Sequence, residues 1–196
     1  MFVLTADQRG SRTDRDRVAD VLRDYATVPA VRGIDRTAGD EFQAVFDDAA
    51  TVAGLAVDLA VEGHWSVGIG VGEVERPLPD QTRAGRGPAF EFARTAVESA
   101  RGHRHRLWIA GDSRWCVHAQ TAAWQLVDLL SGRSAAGREA VALIDEGLTQ
   151  SEVAGRIGIT AQAVSLRLQA ARWDLEDPSR RLLVDLLRLS ADPPPA

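Results

Sequence analysis

The 196-residue chain has no lysine, one cysteine, one methionine and one tyrosine. With Cys116 alone, no intrachain disulfide and no cysteine-based metal cluster can form. No neighbouring residue supplies an activating base, so Cys116 is expected to be a buried apolar filler. Positive charge is in short supply. Arginine supplies all 23 cationic side chains against 28 carboxylates, for a net charge of −5. That balance excludes a wholly basic nucleic-acid coat protein and leaves room for a small DNA-reading module beside an acidic domain. No apolar run reaches the roughly 20 residues of a membrane span. The start, Met1 to Asp7, is too short and turns polar too soon for a signal peptide. The expected location is cytoplasmic, without a membrane partner.

Several segments carry clear periodicity. Phe2 to Ala6 reads as a buried strand running into the polar turn Asp7-Gln8-Arg9-Gly10. Val18, Val21, Leu22 and Tyr25 fall at helical spacing within 15–25. Arg36-Thr37-Ala38 and Phe42 to Phe46 flank a Gly39-Asp40 turn as a hairpin. Asp47 or Asp48 is placed to cap a helix over 49–62. Trp65 to Gly72 alternates large residues with glycine, so one face of that strand is nearly bare and something packs closely on it. A Pro-, Gly- and Arg-rich loop leads to Pro88, which opens a helix to about Arg101, and 107–110 forms another strand. The Arg101 to Arg106 stretch, with His103 and His105, reads as a solvated basic turn. The order β-α-β-β-α-β, then α-β, predicts an α+β chain with a ferredoxin-like, palm-type antiparallel sheet. The sheet domain is assigned to residues 1–118 and a small all-α helix-turn-helix domain to 119–190, the chain being wholly helical beyond Ser131-Gly132-Arg133-Ser134. A disordered tail is expected at 191–196.

The region from Arg138 to Trp173 carries the sharpest pattern. Thr149 with Glu152 forms a capping box. Val153, Ala154 and Ile157 make an inner face, and Gly158 supplies the positive φ of a tight turn. Ile159 plugs the core, Thr160 caps a second helix, and Val164, Leu168 and Ala171 face inward. The outward side carries Gln162, Ser165, Gln169 and Arg172, residue types that reach base edges from a recognition helix. Arg156 and Arg167 are placed to meet phosphates. The pattern resembles the helix-turn-helix of bacterial sigma factors and repressors. An ordinary helical hairpin, or a helix-turn-helix fold used for protein contact, is the alternative. Farther on, Asp177 is expected to cap a helix opened by Pro178. Its stripe of Leu182, Leu183, Leu186 and Leu187 either pairs two copies as a homodimer or packs back on the helix-turn-helix.

Two carboxylates stand out in the first half. Asp7 ends the first strand and Asp40 sits in the hairpin turn, so a split βαβ fold can set them side by side. With the Arg9-Gly10-Ser11 turn beside them they suit Mg2+ or Mn2+ carrying nucleotide phosphates. Close carboxylates repel, so neutralising both is expected to leave stability unchanged or raised. As turn-formers alone they would need no ligand. Arg9, Arg12, Arg83, Arg86 and Arg94 can neutralise phosphate.

The Asp-x-x-Gly start, Gly39 to Gln43, Val67 to Gly72 and Gly87 to Arg94 resemble the SatD family of bacterial proteins over nearly the whole chain. More distantly the same blocks resemble class III nucleotidyl cyclases and the palm of GGDEF enzymes. That resemblance implies metal binding by Asp7 and Asp40 and a transition-state role for Arg94 if the chain is enzymatic. Cyclases hold ribose with an asparagine four residues before that arginine, and here the position is Phe90. The resulting expectation is a DNA-binding transcriptional regulator whose cyclase-like domain binds a nucleotide or another phosphorylated ligand. A metal-dependent nucleotidyltransferase or cyclase with an appended helix-turn-helix, and a DNA-binding protein with a ligand-free palm, are the alternatives.

Overall fold

The apolar run from Phe2 to Ala6 is wholly buried and forms the central strand of the protein. The structure is a computed structural model that describes residues 1–192, so the last four residues of the expected tail lie outside the described residues. In chain order the elements are β1 (Phe2–Gln8), α1 (Val18–Asp24), β2 (Arg32–Ala38), β3 (Glu41–Phe46), α2 (Ala49–Glu62), β4 (Trp65–Val71), α3 (Pro88–Gly102), β5 (Leu107–Ala110), α4 (Trp115–Ser131), α5 (Ala135–Asp145), α6 (Gln150–Ile157), α7 (Ala161–Ala170) and α8 (Trp173–Ala191). The fold is α+β with one mixed five-stranded sheet of order β2-β3-β1-β4-β5. Strands β2, β3, β1 and β4 run antiparallel to their neighbours, and β5 joins β4 in parallel.

The sheet has two unlike faces. Phe2, Leu4 and Ala6 of β1, with Phe42, Phe46, Trp65, Val67 and Ile69, share one apolar cluster with α1, α2 and α4. On the other face the glycines of β4 let α3 lie directly on the strand. A Cβ at Gly68 would come within 2.7 Å of the Ala93 carbonyl oxygen, and one at Gly70 within 2.9 Å of Ala93 Cα. Helix α3 answers with small inward residues, Ala89, Ala93, Ala96 and Ala100. The bare strand face read from the sequence is therefore the seat of α3.

Side chains reach main-chain groups at both sheet edges. On β5 the Trp124 indole N–H donates to the Leu107 carbonyl at 2.7 Å, and the Ile109 amide donates to the Gln120 side-chain oxygen at 3.2 Å. On β2, Arg32 donates to the carbonyls of Pro79 and Leu78, and the Thr82 hydroxyl donates to that of Gly33 at 2.9 Å. The turn after α3 is solvated only in part, with Arg101 and Arg104 exposed. His103 stacks on Trp124 with ring centroids 4.2 Å apart, and His105 is buried with Nε2 3.0 Å from the Asp128 carboxylate. Local charge made this turn look exposed, whereas the aromatic face of α4 draws both imidazoles inward.

Beyond α4 the chain builds a second, separate apolar cluster from α5, α6 and α7, centred on Ala140, Val141, Val153, Val164, Leu168 and Ala171. Helix α8 then returns to the first. Leu183 and Leu187, at 1% and 0% exposure, pack with α2 and α4. The leucine stripe is thus split: its inner members belong to the monomer core, through contacts with the sheet helices and not with the helix-turn-helix. The expected helix start at Asp177 is also corrected. Helix α8 begins at Trp173, after Arg172 turns left-handed at φ 50°, and runs through Pro178. Proline removes one hydrogen bond there. The first turns are held instead by Glu176, whose carboxylate takes Arg133 at 2.6 Å and Arg180 at 2.9 Å.

Candidate nucleic-acid interface and strand-end carboxylates

Helices α6 and α7 are set by local chemistry. The Thr149 hydroxyl accepts from the Glu152 amide, and the Glu152 carboxylate accepts from the Thr149 amide at 2.8 Å, closing the capping box. Hydrogen bonds donated to it by the Thr149 amide, and then by the Thr149 hydroxyl, hold the Glu152 carboxyl below its usual range. Gly158 ends α6 at φ 71°, and the Ile159 amide returns to the Ala154 carbonyl at 3.0 Å. The Thr160 hydroxyl then accepts from the Ala163 amide to start α7. Val164 and Leu168 turn inward, which leaves Gln162, Ser165, Gln169 and Arg172 exposed, with Leu166 at 59%. Ser165, Gln169 and Trp173 line a shallow groove with Gln150.

The arginines placed on phosphates in the sequence have internal partners. Arg167 pairs with Glu139 of α5 at 3.1 Å, and Arg156 pairs with Glu146 at 3.3 Å. Between Ser134 and Trp173 four arginines balance four carboxylates. DNA phosphates would therefore have to take these guanidinium groups from exposed carboxylates. Such pairs are worth little in water, so the exchange costs little.

At the sheet, β1 and β3 bring the backbones of the two aspartates together. Asp7 faces Glu41 in register, and the Gln8 amide donates to the Asp40 carbonyl at 2.8 Å. Their carboxylates, however, take different partners. Asp7 is largely buried and receives two hydrogen bonds from Arg101 of α3, from Nε at 3.1 Å and from a terminal nitrogen at 3.0 Å. Asp40 accepts from the Ser11 hydroxyl at 2.6 Å. Asp40 and Ser11 line a wide groove of about 550 Å³ with Gln8, Arg12, Asp14, Asp16 and Arg36. Arg9 reaches away to donate to the Gly63 carbonyl at 2.6 Å, and Gly10 sits at φ 67°. Arg94 is exposed on α3, two turns before Arg101 on the same helix face.

As metal donors these residues fit only in part. Asp7 stands on β1 and Asp40 in the β2–β3 turn beside it, but Asp7 is already neutralised by a guanidinium. Among the described residues no group of three or more His, Cys, Asp or Glu side chains is poised around one point. The sequence reading missed Arg101, which lies 94 residues from its partner and carries no local signal. Glu41 accepts from the Thr37 hydroxyl. Comparison of the chain with protein-family models, with curated proteins and with solved structures finds no match. Among the described residues no helix is long and apolar enough to cross a membrane.

Proposed function

We propose that the chain is a DNA-binding transcriptional regulator in which α6 and α7 act as a helix-turn-helix and α7 enters the major groove. The observation that carries this is the outward row Gln162, Ser165 and Gln169 on a helix capped by Thr160 and held to α6 through left-handed Gly158. Amide and hydroxyl side chains on such a row can read base edges. Selection from random duplexes by the full chain should enrich one motif. Gln162→Ala with Ser165→Ala should then erase preference for it while weak, salt-sensitive binding remains, because base contacts specify and phosphate contacts position. With Arg156 and Arg167 as the phosphate contacts, log K should fall with log salt at a slope of about −2 per chain. Absence of enrichment, or full discrimination by the double variant, overturns the assignment.

The sheet unit is proposed to be ferredoxin-like and to sense a nucleotide or other phosphorylated ligand. The antiparallel run β2-β3-β1-β4, with α1 and α2 in one cluster on one face, supports that architecture. The Arg9-Gly10-Ser11 turn, Arg12 and Arg94 supply groups for phosphate, and Mg2+ or Mn2+ bridging to the phosphates would draw on Asp7 and Asp40. Such an ion has to displace Arg101 from Asp7, and this favours ligand-gated rearrangement over standing catalysis. A ligand binding only the folded state raises the melting temperature. A thermal-shift series with nucleoside triphosphates, with and without Mg2+, tests the proposal. No shift with any triphosphate at millimolar concentration, or an unchanged shift in Asp7→Asn with Asp40→Asn, refutes it.

A further inference from the structure

Among the described residues, five large apolar side chains are substantially exposed, and two of them, Leu175 at 48% and Leu182 at 51%, lie seven residues apart on α8. Leu189, a further seven on, is partly exposed and continues the line. At about 100° per residue these three form one straight stripe, roughly 21 Å long, next to the face that carries Leu183 and Leu187 into the core. On its other side runs a row of alternating charge, Asp177, Arg181, Asp185 and Arg188. Within the chain Arg181 pairs with Asp177 at 2.7 Å and Arg188 with Asp185 at 3.3 Å, all four largely exposed.

We propose that this outer face of α8 is where two copies of the chain join, antiparallel, across a twofold axis near Leu182. The row of charges reads acid, base, acid, base, which is complementary to itself only when reversed. Antiparallel pairing sets Asp177 against Arg188 of the second copy and Arg181 against Asp185, while Leu182 meets its own twin and Leu175 meets Leu189. In a parallel pair the twofold axis runs along the helices and puts the two charge rows on opposite sides of the seam, where they cannot pair. A twofold interface repeats each contact, so both charge pairs occur twice.

The spacing also suits the proposed DNA reading, on which the purpose of this dimer rests. Trp173 lies nine residues before Leu182. Antiparallel helices centred on Leu182 therefore put their first residues roughly 27 Å apart at 1.5 Å per residue. Helix α7 ends three residues before Trp173, so the two reading helices start from the outer ends of the pair. That separation approaches the ~34 Å between half-sites one turn apart.

Sedimentation equilibrium of the full chain, without DNA, tests the interface. The wild type should be a dimer at micromolar concentration. Leu182→Glu, a change at a half-exposed position, should give a monomer with an unchanged circular dichroism spectrum. Arg181→Glu should weaken the dimer about tenfold by turning two attractive pairs repulsive. Adding Asp185→Arg to it should restore association. A monomeric wild type at 100-fold higher concentration, or a dimer that survives Leu182→Glu, overturns the proposal. Should Leu182→Glu fail to fold, the charge-reversal pair decides alone, and failure of the second change to rescue the first is refutation. Because no DNA is present, loss of the dimer and loss of motif recognition are separate outcomes.

Discussion

Gly70→Ala is the substitution that most directly probes how α3 is seated. The added methyl would lie 2.9 Å from Ala93 Cα and closer still to the Ala89 carbonyl oxygen and the Ala93 amide nitrogen. All three obstacles are backbone atoms, so no side chain can swing aside. Relief requires α3 to retreat by roughly 1 Å, a gap that forfeits a quarter to a half of the dispersion energy of each contact along the helix. Ala89, Ala93 and Ala96 are too small to fill it. The expected loss is about 3 kcal/mol or more, at the upper end for overpacking. For a chain of this length that corresponds to a fall in Tm of roughly 6 to 12 °C. Gly54→Ala supplies the control. Gly54 lies inside α2 with nothing within 4 Å of a new Cβ, so alanine there should stabilise by about 0.5 to 1 kcal/mol through helix propensity. Urea unfolding of both variants, monitored by far-UV circular dichroism, gives the two values. A Gly70→Ala protein within 0.5 kcal/mol of wild type, or both variants shifting in the same direction, would refute the close seating of α3.

Asp7→Asn should lower stability by about 1 kcal/mol, not raise it, because the charge it removes answers Arg101 and not a second carboxylate; urea midpoints with and without 0.5 M NaCl read the loss and its screening. Arg133→Ala should cost about 3 kcal/mol, since the guanidinium is buried at 8% exposure against Glu176. Burial pushes the Glu176 carboxyl up, but hydrogen bonds from Arg180 and Arg133 outweigh it and hold it below its ordinary value. The stability that this depression contributes is present above the unfolded value near ~4.3 and is lost as pH falls through the folded one. Glu176→Gln should therefore lower stability at pH 7 and flatten the acid limb of a pH–stability curve, and an unchanged acid limb would count against the pairing.

What could be read from the sequence was whatever neighbouring residues decide among themselves. The capping box at Thr149, the αL turn at Gly158, Pro88 at the head of α3 and the bare glycine face of β4 depend on short-range sterics and hydrogen bonding, and each stands where the pattern put it. Helix α8 shows the limit. Asp177-Pro178 is a good local start signal. It was overridden because Arg133, 43 residues upstream, holds Glu176 and also donates to the Ala171 carbonyl at 2.9 Å, fixing the chain one turn earlier. The strand-end aspartates were legible as neighbours, since register follows from strand order. The guanidinium that answers Asp7 was not. Ser11 lies in the turn already placed beside them, but the arginine on the far end of α3 reaches Asp7 only after the sheet and α3 have docked. The same holds for Arg167, whose local setting on α7 says nothing of Glu139 on α5.

The side chains at the sheet edges limit how this chain can meet other chains. A strand arriving at β5 finds the outward carbonyl of Leu107 and amide of Ile109 already bonded to Trp124 and Gln120, and one arriving at β2 finds the 78–82 loop in its way. Main-chain templating, the route by which open sheets grow into polymers, is obstructed at these positions. Association through side chains on helices is of another kind, since a single substitution can abolish it and dilution can reverse it. Replacing Trp124 by alanine would unlatch one of those edges, so a slow gain in thioflavin-positive material by that variant would show that an indole, and not only the order of strands, keeps the protein from polymerising.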